Sequence, residues 1–153
     1  WLDTLTTTEE VMIDNITLWH KHARPEPTVR DLDVQIGCHI EEFIEMMDSL
    51  NIDANSDLAR ALDDLEEFAD ALKAGVKTVS SIDREPLLDS LADQIVTAVG
   101  VGVCAKMDMD AAVEEVNRSN WSKFNYKGYP EFDENGKVKK GEHYRKPDLK
   151  GMF

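Results

Sequence analysis

Apolar residues recur along this chain at spacings of three and four, the pattern of helices that bury one face. Val11, Ile13, Ile16, Leu18 and Trp19 form the first run. It is expected to open at Thr7, where Thr7 and Glu10 make a capping box, and to stop before Pro25 and Pro27. A second helix is expected over about 31–50, with Ile36, Ile40, Phe43, Ile44 and Met47 on one stripe. A third starts near Ser56, carries Leu58, Leu62, Leu65, Ala69 and Leu72, and ends with Gly75 as its C-cap. A fourth starts near Asp83, accepts Pro86 in its first turn and runs to about Lys106; a short fifth covers about 108–118. No alternation of period two competes with these runs, so the pattern predicts an all-α chain of about five helices.

After Ser119 the character changes to Asn, Gly, Pro, Lys and Tyr, an irregular tail with a tight turn at Glu134-Asn135-Gly136. Aromatic residues such as Trp121, Phe124, Tyr126 and Tyr144 are too frequent there for a linker and predict that the tail docks onto the body. The whole of 1–153 reads as one domain, a helical body over 7–118 followed by a basic tail over 119–153. The uncharged run 94–105 is too short to span a bilayer and reads as a buried helix, so no membrane partner is expected. Two distant cysteines, Cys38 and Cys104, make neither a disulfide framework nor a zinc spacing; they read as core fillers in a cytoplasmic protein. The four histidines show no ligand spacing either.

Charge divides the chain. Residues 1–117 hold 26 acids against 8 bases, and residues 118–153 hold 5 acids against 9 bases. An acidic body suits cations, a basic tail suits phosphate oxygens, and duplex nucleic acid is an unsuitable partner for such a body. Within the body, Glu41-Glu42-x-x-Glu45 brings three carboxylates to one patch of a helix, beside Ile40, Phe43 and Ile44. No basic residue lies within a turn, so positive charge has to come from elsewhere. On the fourth helix, Asp89 and Asp93 are one turn apart, and Asp93 is the last charge before twelve uncharged residues. Brought together, these five carboxylates would make a hard-oxygen site for Mg²⁺, with Mn²⁺ as a substitute, and not for zinc. Glu66-Glu67-x-x-Asp70 echoes the first motif but sits on a helix crowded with Asp63 and Asp64 and reads as a solvated face.

Glu41-Glu42-x-x-Glu45, followed by Leu91-Ala92-Asp93 on a later apolar helix, resembles the metal motif of the MazG-like all-alpha nucleoside triphosphate pyrophosphohydrolases. Glu115 to Lys123 resembles the family's segment that supplies an Asn and a Lys to the nucleotide phosphates, and Gly136-Lys137, Lys140, Tyr144 and Pro147-Asp148 resemble the tail of a phage and bacterial branch of that superfamily. The family usually carries Glu three residues before the Asp; that position is Ser90 here, with Asp89 one residue earlier. The resemblance implies an antiparallel helical bundle completed by a second subunit, as a homodimer or homotetramer. It implies a (deoxy)nucleoside triphosphate cut to monophosphate and pyrophosphate in the cytoplasm, the host's if the chain is phage-encoded. Glu41, Glu42, Glu45, Asp89 and Asp93 are the implied metal ligands, with Glu42 also a candidate base. Asn120 and Lys123 would hold phosphate, and Lys140 and Tyr144 would close the site. The competing readings are phosphoribosyl-ATP hydrolysis, a non-catalytic acidic interaction protein, and a nucleotide sensor that binds without turnover.

Overall fold

The computed structural model describes residues 9–51 and 56–153; the expected capping box of Thr7 lies outside them. The protein is all-helical, with α1 over Glu9–Ala23, α2 over Val29–Asp48, α3 over Ser56–Lys73, α4 over Arg84–Cys104 and α5 over Met109–Trp121. There is no β-strand among the described residues.

The helix ends follow local chemistry. Helix α2 begins two residues earlier than the apolar pattern suggests because Thr28 and Asp31 form a capping box. The Thr28 hydroxyl accepts from the Asp31 amide, and the Asp31 carboxylate accepts from the Thr28 amide at 2.8 Å. Helix α3 ends as expected at Gly75, whose φ of +74° closes a Schellman turn, with Val76 N–H donating to the Ala71 carbonyl at 2.8 Å. The Arg30 guanidinium adds a cationic cap, donating to the carbonyls of Leu72 and Lys73. Helix α5 is capped by Asp108 and runs one turn further than the apolar pattern shows, to Trp121. The turn at 134–136 is present: the Asp133 carboxylate accepts from the amides of Asn135 and Lys137 at 2.9 Å each, and Gly136 takes a φ of +80°.

The chain divides into two compact units. One comprises Glu26–Ser81 with Phe132–Lys137, and is the α2–α3 hairpin plus the tail's turn. Its core is Val34, Ala69 and Leu72, each 2 % exposed or less. The two helices approach closely at Gly37, where a Cβ would lie 2.8 Å from the Ala69 carbonyl oxygen and 2.7 Å from Lys73 Cγ. Buried Asp33 ties the following loop to α2, its carboxylate accepting from Val79 N–H at 2.8 Å. That bond, with one from Thr78, holds its pKa below the ordinary value.

The other unit holds α1, α4, α5 and the rest of the tail. Trp19 and Ala23 of α1 pack with Phe124, Trp121 and Val138. The Trp19 and Phe124 rings stack at 5.8 Å, and Trp121 meets Phe124 edge-on. Of the tail's aromatics Trp121 and Phe124 pack here, whereas Tyr126 and Tyr129 are exposed. Ser119 Oγ donates to the Arg145 carbonyl at 2.8 Å, and Arg145 N–H donates to Ser122 Oγ at 2.8 Å. Glu115 accepts from both Arg118 (2.6 Å twice) and the Asp148 amide (2.8 Å).

Helix α4 departs from expectation. It was read as buried and its uncharged run as too short for a membrane, yet Leu88, Ile95, Val96, Val101 and Val103 are all more than half exposed in the single chain. At 21 residues it is the one helix among those described that is long and apolar enough to cross a bilayer by length and composition. The charge-free run 94–105 is shorter than the apolar stretch because Asp89 and Asp93 are the only charges between 86 and 105. Cys104, expected as a core filler, is exposed at its end; Cys38 on α2 is half-buried.

Candidate acidic site between α2 and α3

Helical spacing puts Glu41, Glu45 and Asp48 along one side of α2, and Glu66 and Asp70 one turn apart on α3. The close packing at Gly37 and Ala69 sets these sides against each other across a cleft of about 180 Å³. Ile44, Ala69 and Lys73 complete its lining. Such a concentration of like charge needs compensation, and two lysines provide part of it. Lys73 Nζ lies 2.8 Å from Asp70 and 3.6 Å from Glu41 Oε2, and Lys137 Nζ reaches the same Glu41 oxygen at 2.7 Å. The expectation that positive charge comes from elsewhere in the chain is therefore met for Glu41. Burial works to raise the Glu41 carboxyl; the hydrogen bond from Lys137 and the charges of both lysines outweigh it, so its pKa lies below the ordinary value.

The residues picked out from the sequence fall in several places. Glu41 and Glu45 line the cleft. Glu42 is exposed on α2 and does not line it. Asp89 and Asp93 belong to the other unit, on α4, and both are exposed. The argument that Asp93 opens a buried helix, and so needs a partner, does not hold in the single chain. Asn120 and Lys123 lie at the end of α5, with Lys123 Nζ 5.8 Å from the Trp19 ring centre. Lys140 Nζ sits 5.3 Å over the Tyr144 ring. Gly141 lies against the Lys123 carbonyl, where a Cβ would be at 3.4 Å, so the segment around Lys140 and Tyr144 meets the α5 terminus.

Sequence reasoning missed Glu66, Asp70, Lys73 and Lys137. The signal is the echo between 41–45 and 66–70: Glu66 and Asp70 are exposed, as a solvated face requires, yet two adjacent helices with acids at matching spacing also line one cleft. Glu67 stands three residues before Asp70, the spacing that Ser90 breaks ahead of Asp93.

The donor set of the cleft consists of carboxylate oxygens, the chemistry that hard divalent cations take and zinc does not. Among the described residues no three His, Cys, Asp or Glu side chains are drawn around a single point, so a cation would need side-chain rotation, bridging waters or both. By donor chemistry the residues fit Mg²⁺ or Mn²⁺. No family model matches the chain, and neither a curated protein nor a solved structure matches it.

Proposed function

We propose that this chain is a divalent-cation-dependent nucleoside triphosphate pyrophosphohydrolase of the MazG-like all-alpha kind, cutting a (deoxy)nucleoside triphosphate to its monophosphate and pyrophosphate. The observation that carries the reading is the facing of Glu41 and Glu45 with Glu66 and Asp70 across one cleft. These four side chains hold the cation, α3 supplying Glu66 and Asp70 across the cleft from Glu41 and Glu45. Asp89 and Asp93 remain alternative donors. A bound Mg²⁺ would supply positive charge to the triphosphate and to the leaving pyrophosphate. The water that adds to the α-phosphorus as the bond to the bridging oxygen breaks gives its proton to a carboxylate; the resemblance offers Glu42, which stands on α2 beside Glu41 and outside the cleft lining. The resemblance makes Asn120, Lys123, Lys140 and Tyr144 candidate phosphate ligands, and the basic character of the tail supports that role.

Incubation with Mg²⁺ and a panel of nucleoside triphosphates, phosphoribosyl-ATP included, should yield monophosphate and pyrophosphate. Release of orthophosphate alone, or unchanged turnover in Glu45→Gln, would remove the reading. A second measurement decides the ligands. Asp70→Asn should abolish Mn²⁺ binding followed by electron paramagnetic resonance, and Asp93→Asn should leave it intact; the reverse result returns the site to α4. An acidic interaction protein would bind neither cation nor triphosphate.

The exposed apolar surface of α4 supports the homodimer that the resemblance implies, because the uncharged stretch 94–105 exposes Ile95, Val96, Val99, Val101 and Val103 and such a stretch belongs in an interior. A bilayer suits it less well, since Asp93, next to the midpoint of the helix, would cost roughly 2.5–3.5 kcal/mol there and Asp89 would add to it. Light scattering should return twice the chain mass, and Val99→Lys should return a monomer. A monomeric parent protein would end this part of the proposal.

A further inference from the structure

A cation that takes Glu41 must first displace ammonium groups, because Lys73 and Lys137 both address Glu41 Oε2. The two are not equivalent. The Lys73 side chain is 16 % exposed, its stem packs at Gly37, and its ammonium is also held by Asp70. It can keep Asp70 when Glu41 is taken. The Lys137 side chain is 45 % exposed and reaches Glu41 from a turn 96 residues away in sequence. The backbone of that turn is already fixed without the ion pair. The Asp133 carboxylate holds two of its amides, Asp133 N–H donates to the Lys137 carbonyl at 2.9 Å, and Arg30 donates to the Asn135 carbonyl at 3.2 Å. Releasing the Lys137 ammonium therefore costs one exposed ion pair and leaves its anchor in place.

We propose that Lys137 is a displaceable counter-ion of Glu41, holding that carboxylate until a divalent cation takes it and so raising the cation concentration needed for loading. The inference rests on the cation-binding reading above, and its test separates the two. Titrate Mn²⁺ into the wild-type protein, Lys137→Met, Lys137→Gln and Lys139→Met, following free Mn²⁺ by electron paramagnetic resonance. Lys139→Met removes the same charge from a neighbouring exposed lysine and controls for the general field. Circular dichroism checks that each variant folds. Both Lys137 variants should bind Mn²⁺ about fivefold more tightly than wild type, the change expected for losing a competing exposed ion pair, and Lys139→Met should match wild type. In the wild-type protein, Mn²⁺ should also change the ¹⁵N resonance of the Lys137 ammonium and leave the 133–137 amides protected. Equal affinities in wild type and the Lys137 variants overturn the latch while leaving the cation site standing. An equal gain in Lys139→Met overturns it as well. Absence of Mn²⁺ binding in all four proteins overturns both readings.

Discussion

Replacing Gly37 with alanine should destabilise the protein, against the usual sign for a helix interior. In an ordinary exposed helix the change gains about 1 kcal/mol, because glycine is the poorer helix former. At this position a Cβ would stand 2.8 Å from the Ala69 carbonyl oxygen and 2.7 Å from Lys73 Cγ. The lysine stem can bend, but the carbonyl belongs to α3 and can retreat only by parting the two helices. Overpacking of this kind costs about 1–3 kcal/mol. The net expectation is a loss of about 1 kcal/mol, or roughly 2–4 °C in Tm for a chain of this size. Thermal and urea melts at one fixed protein concentration would measure it, with Gln35→Ala, exposed on the same helix, as a control expected within about 0.5 kcal/mol of wild type. A Tm that rises in Gly37→Ala would refute the close approach of α2 and α3, and with it the geometry that faces Glu41 with Asp70.

Trp19→Ala should cost about 3–5 kcal/mol in urea unfolding, since the ring is 7 % exposed and stacks on Phe124. Trp19→Phe should cost clearly less, because the indole N–H it removes is buried without an acceptor among the described residues; equal losses would show that the N–H is bonded. Docking of the tail should depend on acid. Glu115 is pulled down to about 2 from 4.5 by its hydrogen bonds from Arg118 and the Asp148 amide. A carboxylate depressed in the folded state stabilises fully above its unfolded value, and that stabilisation fades as the pH falls from about 4.5 towards 2. Limited proteolysis of the tail should accelerate through that window in wild type and be flat in Glu115→Gln; a flat wild-type profile would contradict the assignment.

The helices were legible because their apolar spacing is regular, and their ends were legible where a cap has a side chain to announce it. Gly75 was read in advance for that reason. The Thr28–Asp31 box is hard to read from sequence because Asp stands where Glu or Gln is the commoner partner. The site was half legible. Glu41 and Glu45 could be placed on one helix face by counting residues. Their partners could not, since counting within α3 does not say that its acids look towards α2 and not water. That facing depends on Gly37 and Ala69, two small residues with no chemistry of their own. Lys137 was harder still, because only folding brings position 137 to position 41. Helix α4 was misjudged because composition marks a segment as fit for an interior without saying whether its own chain provides that interior.

The α2–α3 hairpin takes its last segment, Phe132–Lys137, from near the end of the chain. A ribosome adds about 5–20 residues per second, so after Ser81 emerges roughly 3–11 s pass before Lys137 does. Through that interval the nascent hairpin carries Glu41 with Lys73 as its sole counter-charge from those described here. The order in which the polypeptide is made thus leaves Glu41 half-neutralised before its second amine exists, and truncation anywhere ahead of residue 132 would keep the carboxylate in that juvenile state.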